Sequence, residues 1–281
     1  MKLIDLHVHS TYSDGTLTPY ELAKLAKDTG LTAFALTDHD TVDGIPDALS
    51  ACQEFEIELI PGIEFSTEYQ GKDIHIVGLE LDWKSPRFLS EVHLFQDSRN
   101  IRNRKMIAKL HDLGNIDISW EQMEAAFGKA IWTRAHFARY LKDHGYVKEM
   151  KEAFSRYIGD DCPYFVPREK VSPAQAVRLI RSTGGIPILA HPLLYRLTEE
   201  GLLTLIEELK NAGLLGIEAL YSTHTPEEES FVLRLARRQG LLISGGSDFH
   251  GSNKPSISLG TGRGNLRIPY ELLEKLREAR G

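Results

Sequence analysis

Four times along the chain a hydroxyl-bearing residue opens a helical pattern, a glycine closes one, and a short run of apolar residues follows. The openings are Thr18-Pro19-Tyr20-Glu21, Ser172-Pro173-Ala174-Gln175, Thr198-Glu199-Glu200-Gly201 and Thr225-Pro226-Glu227-Glu228. In three of them the hydroxyl precedes proline at the first helical position, and Glu or Gln at the third completes a capping box. The closing glycines are Gly30, Gly184, Gly213 and Gly240, the residue type that most readily takes the left-handed geometry of a helix end. The runs that follow, at 33–37, 186–190, 215–220 and 241–244, are apolar in the manner of strands covered on both faces. Together these signals predict parallel βα units.

Further strands at 3–8, 58–63 and 74–81 bring the total to about seven, close to the count of a closed α/β barrel. A chain of 281 residues accommodates such a barrel and an insertion. The grammar changes after Trp83: residues 88–113 form a long polar helical pattern with Ile101, Met106, Leu110 and Leu113 at helical spacings. Ser119 and Thr133 cap two more helices. The expected organisation is a barrel from 1–83 and 165–281 with a helical insertion, or cap, from 84–164.

Composition narrows the partners. Two distant cysteines, Cys52 and Cys162, provide neither a disulfide framework nor a cysteine zinc site, and the chain reads as cytoplasmic. No run reaches the roughly 20 apolar residues of a membrane span. A formal charge of -7 argues against stable DNA binding, while a local basic patch remains able to hold a small anion.

The chemistry sits at the strand ends. His7 and His9 project from one face of a strand, and Asp248 and His250 repeat their spacing. His39, Glu64 and His191 each follow an apolar run, and His75 interrupts one. Alone, His75 reads as a hydrogen-bonded core residue and Asp14 as a turn residue. The joint pattern is different, because titratable groups at nearly every strand end are costly to bury without a cation. Imidazole and carboxylate suit manganese, iron or zinc, and a carboxylate such as Glu64 can bridge cations about 4 Å apart. Asp5, Asp38 and Asp40 read as orienters of histidine or as caps. His93, His111 and His144 read as solvated.

The segments Asp5-Leu6-His7-Val8-His9-Ser10, Ser13-Asp14-Gly15, Thr37-Asp38-His39-Asp40, Pro61-Gly62-Ile63-Glu64, His75-Ile76-Val77-Gly78, Ala190-His191-Pro192 and Ser247-Asp248-Phe249-His250 resemble the polymerase and histidinol phosphatase (PHP) family in order. The resemblance implies a distorted seven-stranded barrel with two to three divalent metals, commonly manganese, with iron, zinc or magnesium as alternatives. It implies one metal on His7, His9, Glu64 and Asp248, a second sharing Glu64 with His75 and His191, and a third on Asp14, His39 and His250. Thr133-Arg134-Ala135-His136-Phe137-Ala138-Arg139 is similar to a nucleotide-directed branch, which includes 3',5'-nucleoside bisphosphate phosphatases and 5'-3' exoribonucleases.

The expected activity is therefore hydrolysis of the 3'-phosphate of such bisphosphates, or of short 5'-phosphorylated RNA, by a metal-bridging hydroxide attacking phosphorus. Arg99, Arg102 and Lys105 form a basic stripe that, with Arg134 and His136, would hold substrate. His224 is the candidate proton donor, with a loop-stabilising hydrogen bond as its plainer role. Residues 260–264 lack the lysine of a phosphate loop and read as a turn. Rival readings are a histidinol phosphate or other small-molecule phosphatase, an amide or lactone hydrolase, and a non-catalytic metal-stabilised binding module. Oligomeric state is not legible.

Overall fold

The computed structural model describes residues 2–167 and 171–280. Seven strands form one sheet in chain order: β1 (Ile4–Val8), β2 (Ala33–Leu36), β3 (Glu58–Tyr69), β4 (Lys72–Leu79), β5 (Ile186–Leu189), β6 (Gly216–Tyr221) and β7 (Leu242–Gly246). The sheet curls until its edges meet. The Asp248 amide donates to His7 O at 2.9 Å, and the His9 amide donates to Phe249 O at 3.0 Å. The result is a nearly closed seven-stranded α/β barrel.

The expectation of a wholly parallel barrel is corrected at β4, which runs antiparallel to both β3 and β5. The cause is local. Gln70 and Gly71 take φ of 51° and 80°, which makes a tight hairpin turn, so β3 returns directly as β4 without a helical crossover. β3 thereby runs on past 63 to Tyr69, and β4 begins at Lys72. His75, near the start of a reversed strand, reaches the rim that the other strands present at their C-terminal ends.

A bulge in β1 sets which side chains face inward. Asp5 pairs with Phe34 and Val8 with Leu36, so β1 carries an extra residue in that interval. Ile4 and Leu6 lie in the apolar cluster inside the barrel, whereas Val8 joins the outer cluster against Leu22, Ala23 and Ala26. His7 and His9, on either side of Val8, are turned to the interior.

The helices are α1 (Pro19–Asp28), α2 (Ile45–Phe55), α3 (Pro86–Asp112), α4 (Trp120–Phe127), α5 (Arg134–Asp143), α6 (Met150–Ala153), α7 (Pro173–Ser182), α8 (Glu199–Ala212), α9 (Pro226–Gln239) and α10 (Glu271–Arg280). Capping boxes at Thr18, Ser172 and Thr225 open α1, α7 and α9, and Gly213 and Gly240 close α8 and α9 in the left-handed region. Two helices are not legible in the sequence: α2, whose N-cap Gly44 has no side chain to signal a start, and α10. Leu273 and Leu276 of α10 join the inner cluster and stop the barrel at the end opposite the rim.

α3 serves two cores. Its first half sets Phe88 and Phe95 against Phe65 of β3, with ring centroids 6.2 and 4.4 Å away. Its second half gives Met106, Ile107 and Leu110 to a separate core with Trp132, Phe137, Tyr140 and Leu141. The stripe expected from Ile101 and Leu113 is corrected: they are 48% and 70% exposed, because the buried face follows the two cores and carries Arg99 and Arg102 between them. Lys105 is exposed, apart from those arginines.

The seam between β1 and β7 leaves no room for a side chain at Gly246, where an added Cβ would lie 2.2 Å from His7 Cβ. Gly246→Ala is expected to lower stability by roughly 1–3 kcal/mol, the range for overpacking a well-filled site. Chemical denaturation measures it, and an unchanged midpoint would show that the seam has slack.

Candidate metal centre

The rim collects nine titratable side chains in four overlapping groups, each offering donor atoms within 4.8 Å of one another: His9, Asp14, His39 and His250; His7, His9 and Asp248; His7, Glu64 and His191; His39, Glu64 and His75. Each comes from a strand or from the loop just beyond one. The grouping is more interlocked than the family resemblance implies, since His7, His9, His39 and Glu64 each belong to two groups.

Glu64 is the hub. Its Oε1 lies 2.9 Å from His75 Nδ1, 3.0 Å from His191 Nε2 and 3.3 Å from His7 Nε2. Its Oε2 lies 3.0 Å from His39 Nδ1 and 3.3 Å from His9 Nε2. The Glu64 backbone is pinned by the Asp40 amide donating to Glu64 O at 3.0 Å and by its own amide donating to Asp38 O at 3.2 Å. His191 and Asp248 sit at φ of 23° and 54°, in a region that few residue types other than glycine, Asn, Asp and His take, which turns the backbone sharply just beyond each strand.

Around the rim, the orienting contacts differ from those expected. Asp5 accepts from the Ser247 and Gly260 amides, each at 2.8 Å, and so braces backbone. Asp38 accepts from Ser10 and Ser13 hydroxyls at 2.6 Å each, and Asp40 accepts from Arg99 Nε at 2.8 Å. Among the described residues the hydrogen bond to the His7 imidazole comes instead from Glu218 of β6, whose role is not legible in the sequence motifs. Its Oε1 is 3.0 Å from His7 Nδ1, and its Oε2 accepts from the His191 amide at 2.8 Å. A glutamate inside an otherwise apolar run was the available signal, because a buried carboxylate needs a partner. Three more contacts have no sequence signature: Tyr221 Oη and Lys254 Nζ donate to Asp248 Oδ2 at 2.7 and 2.6 Å, and Thr133 Oγ1 donates to Asp14 Oδ2 at 2.7 Å.

The electrostatics favour ionised acids among neutral and cationic rings. Burial opposes charge on Glu64, but His39, His75 and His7 outweigh it and hold the carboxyl well below its ordinary value. Burial likewise opposes charge on Asp248, where Lys254 and His250 prevail, and on Asp14, where His250 and His39 do. Burial and His250 push His9 well down, whereas Glu64, Glu218 and Asp248 overcome burial to hold His7 well up.

His7 Nε2, His9 Nε2 and Asp14 Oδ1 are buried and have no partner in hydrogen-bond geometry. Such atoms are costly unless something binds them. Their orientation toward shared carboxylates, with no cysteine in the group, is the donor chemistry of an imidazole and oxygen site for divalent cations. The residues present fit metal ions.

A cleft of about 460 Å³ opens beside the cluster, walled by His39, His75 and His250 and by Arg99, Arg102, Arg134 and Lys254. Arg134 donates to Asp73 at 2.8 Å and to Asp160 at 2.6 Å. A second recess of about 760 Å³ shares Asp73, His75, Arg134 and Phe154 with it and reaches His191. His136 does not line either recess: its Nδ1 accepts from the Thr133 amide at 3.0 Å as the cap of α5, and burial lowers its pKa to about 4. His224 also lies off the cleft, buried, with Nδ1 3.0 Å from Ala219 O. His93, His111 and His144 are exposed, and residues 260–264 form a turn.

Comparison with known proteins agrees with this geometry. The PHP domain model matches residues 5–159. A 5'-3' exoribonuclease of Haemophilus influenzae is 39% identical over 252 residues, covering 89% of this chain and 90% of the relative. A 3',5'-nucleoside bisphosphate phosphatase of Chromobacterium violaceum is 34% identical over 260 residues, covering 92% and 91%. A solved structure from Chromobacterium violaceum, described as an amidohydrolase with bound sulfate and no metal, superposes with a TM-score of 0.88 at 33% identity over 99% of this chain and 96% of that one. With the rim's metal-fitting donors and this breadth of likeness, the chain belongs to the PHP domain family and is a metal-dependent hydrolase of phosphate esters.

Proposed function

We propose that this chain hydrolyses phosphate esters of nucleotides, either the 3'-phosphate of 3',5'-nucleoside bisphosphates or short 5'-phosphorylated oligoribonucleotides. The observation that carries the proposal is the cleft in which four of the nine metal-fitting donors, Asp14, His39, His75 and His250, face Arg99, Arg102 and Arg134. A substrate with phosphates at two places needs cations at two places. The cluster answers one, and Arg99, Arg102 and Arg134 answer the other, since arginine suits phosphate recognition. The second recess extends the space beyond what a lone phosphate needs. By their descriptions, one of the relatives named above is an exoribonuclease and the other a nucleoside bisphosphate phosphatase.

In this assignment His7, His9, Asp14, His39, Glu64, His75, His191, Asp248 and His250 hold two to three divalent ions, with manganese the first choice. Bound ions of this kind supply hydroxide near neutrality and neutralise phosphate oxygens. Glu64 spans the groups through its two oxygens, and Glu218 fixes His7 and the His191 backbone. Arg99, held by Asp40 and Ser66, is fixed in the cleft wall before substrate arrives, which limits the ordering cost of binding. The barrel at 1–83 and 165–281 supplies the donors, and the segment 84–164 supplies the arginines. His224 is a loop-bracing residue.

Phosphate release by manganese-loaded protein from adenosine 3',5'-bisphosphate, short 5'-phosphorylated RNA and histidinol phosphate tests the substrate class. Turnover of either nucleotide above histidinol phosphate is expected, and the reverse preference would end the nucleotide assignment.

His7→Ala and Asp248→Ala are each expected to remove metal and activity together. Arg134→Ala keeps its metal and raises KM roughly tenfold, the scale of a lost charged hydrogen bond. Metal analysis beside steady-state kinetics separates the two behaviours, and unchanged kinetics in the arginine variant would remove Arg134 from the site.

Glu218→Gln keeps the side chain's shape and loses its charge. Metal affinity is expected to fall about 10- to 100-fold, as for lost partners of ligating histidines. Competition with a chelator measures it; affinity equal to wild type would make Glu218 a passive neighbour.

A further inference from the structure

We propose that Lys254 positions the substrate's phosphoryl group, its ammonium taking a non-bridging phosphate oxygen at the edge of the metal cluster while it remains tied to Asp248. The inference rests on the phosphoesterase reading above and deepens it by naming the residue that holds the anion nearest the donors.

The two oxygens of Asp248 face different ways. Oδ1 looks into the cluster, 3.3 Å from His250 Nδ1, 3.5 Å from His9 Nε2 and 3.8 Å from His7 Nε2. Oδ2 looks outward and accepts from Lys254 Nζ at 2.6 Å and from Tyr221 Oη at 2.7 Å. The lysine side chain is 36% exposed and forms part of the cleft wall, whereas Asp248 is buried beneath it. Lys254 is thus one point, beside His39, His75 and His250, where the cluster meets the cleft.

An ammonium carries three donors, and the Asp248 contact uses one. Tyr221 shares Oδ2, so the carboxylate stays satisfied as Lys254 turns a further donor toward a ligand. Arg99 and Arg134 are anchored by carboxylates outside the cluster. Arg99 spends Nε on Asp40, and Arg134 divides its guanidinium between Asp73 and Asp160, carboxylates that belong to none of the four donor groups. Lys254 instead shares its carboxylate with the cluster itself. With a cation held by His7, His9 and Asp248, the carboxylate would share its charge and hold the lysine less tightly, which would leave more of the lysine's charge for phosphate. The backbone keeps the side chain in reach: the Lys254 amide donates to Gly251 O at 3.1 Å, and Lys254 O accepts from the Ile257 amide at 2.9 Å.

Calorimetric titration of inorganic phosphate into manganese-loaded protein, with metal analysis and kinetics on the same samples, tests the role. Lys254→Met is expected to weaken phosphate binding and raise KM by about tenfold each, with metal content unchanged; Lys254→Arg should recover most of both. Unchanged phosphate affinity and KM in Lys254→Met would overturn the proposal. So would a loss of metal in that variant that accounts for its loss of activity, because Lys254 would then act only on Asp248. If wild-type protein cleaves no ester yet binds phosphate through Lys254, the positioning role stands and the proposed function alone fails.

Discussion

Everything at the rim turns on one buried carboxylate. Glu64 is 1% exposed and meets imidazoles on both of its oxygens. A lone carboxylate at that depth would protonate or be excluded. Its partners come from β1, from the loop after β2, from β4 and from the loop after β5, so they meet only when the sheet has curled. Closing the barrel and satisfying Glu64 are the same event. The β1 bulge belongs to it too, because without the extra residue His7 and His9 would take the outward face.

The ends of the apolar runs were legible because two weak signals coincide there. A histidine after one strand means little, but polar residues after nearly every strand mark a common rim. What stayed hidden has specific causes. Glu58–Tyr69 carries its period-two alternation through Glu64, Ser66 and Glu68, and charged residues in a strand disguised its length, hiding the hairpin and the reversal of β4. Glu218 was absorbed into an apolar run. Tyr221, Lys254 and Thr133 gain their meaning from contacts across the fold, which no local spacing announces. For α3 the helix was legible and its face was not, since helical spacing cannot say that one helix will leave one core and enter another.

That change of core puts the arginines where they are. Arg99 and Arg102 lie between the cluster around Phe88 and Phe95 and the one around Met106 and Leu110. Apolar packing on both sides fixes the helix, and the gap between the cores is the cleft. Burying guanidinium is tolerable there because Asp40 and Ser66 accept from Arg99. Asp40 takes φ of 52° to do so, a conformation that aspartate adopts more readily than most residues.

Thr133 joins the two halves through a single hydroxyl. Its Oγ1 accepts from the Ala135 amide at 3.1 Å, which starts α5, and donates to Asp14 Oδ2 at 2.7 Å, which aims the other oxygen at His250. Arg134 follows immediately and faces the cleft. The cap that starts a helix thus also orients an acid of the rim and presents an arginine beside it. Displacing α5 would therefore disturb the donor cluster and the arginine-lined wall of the cleft together. The donors belong to the barrel strands and their loops, and the inserted helices reach them through hydrogen bonds such as Thr133 to Asp14 and Arg99 to Asp40.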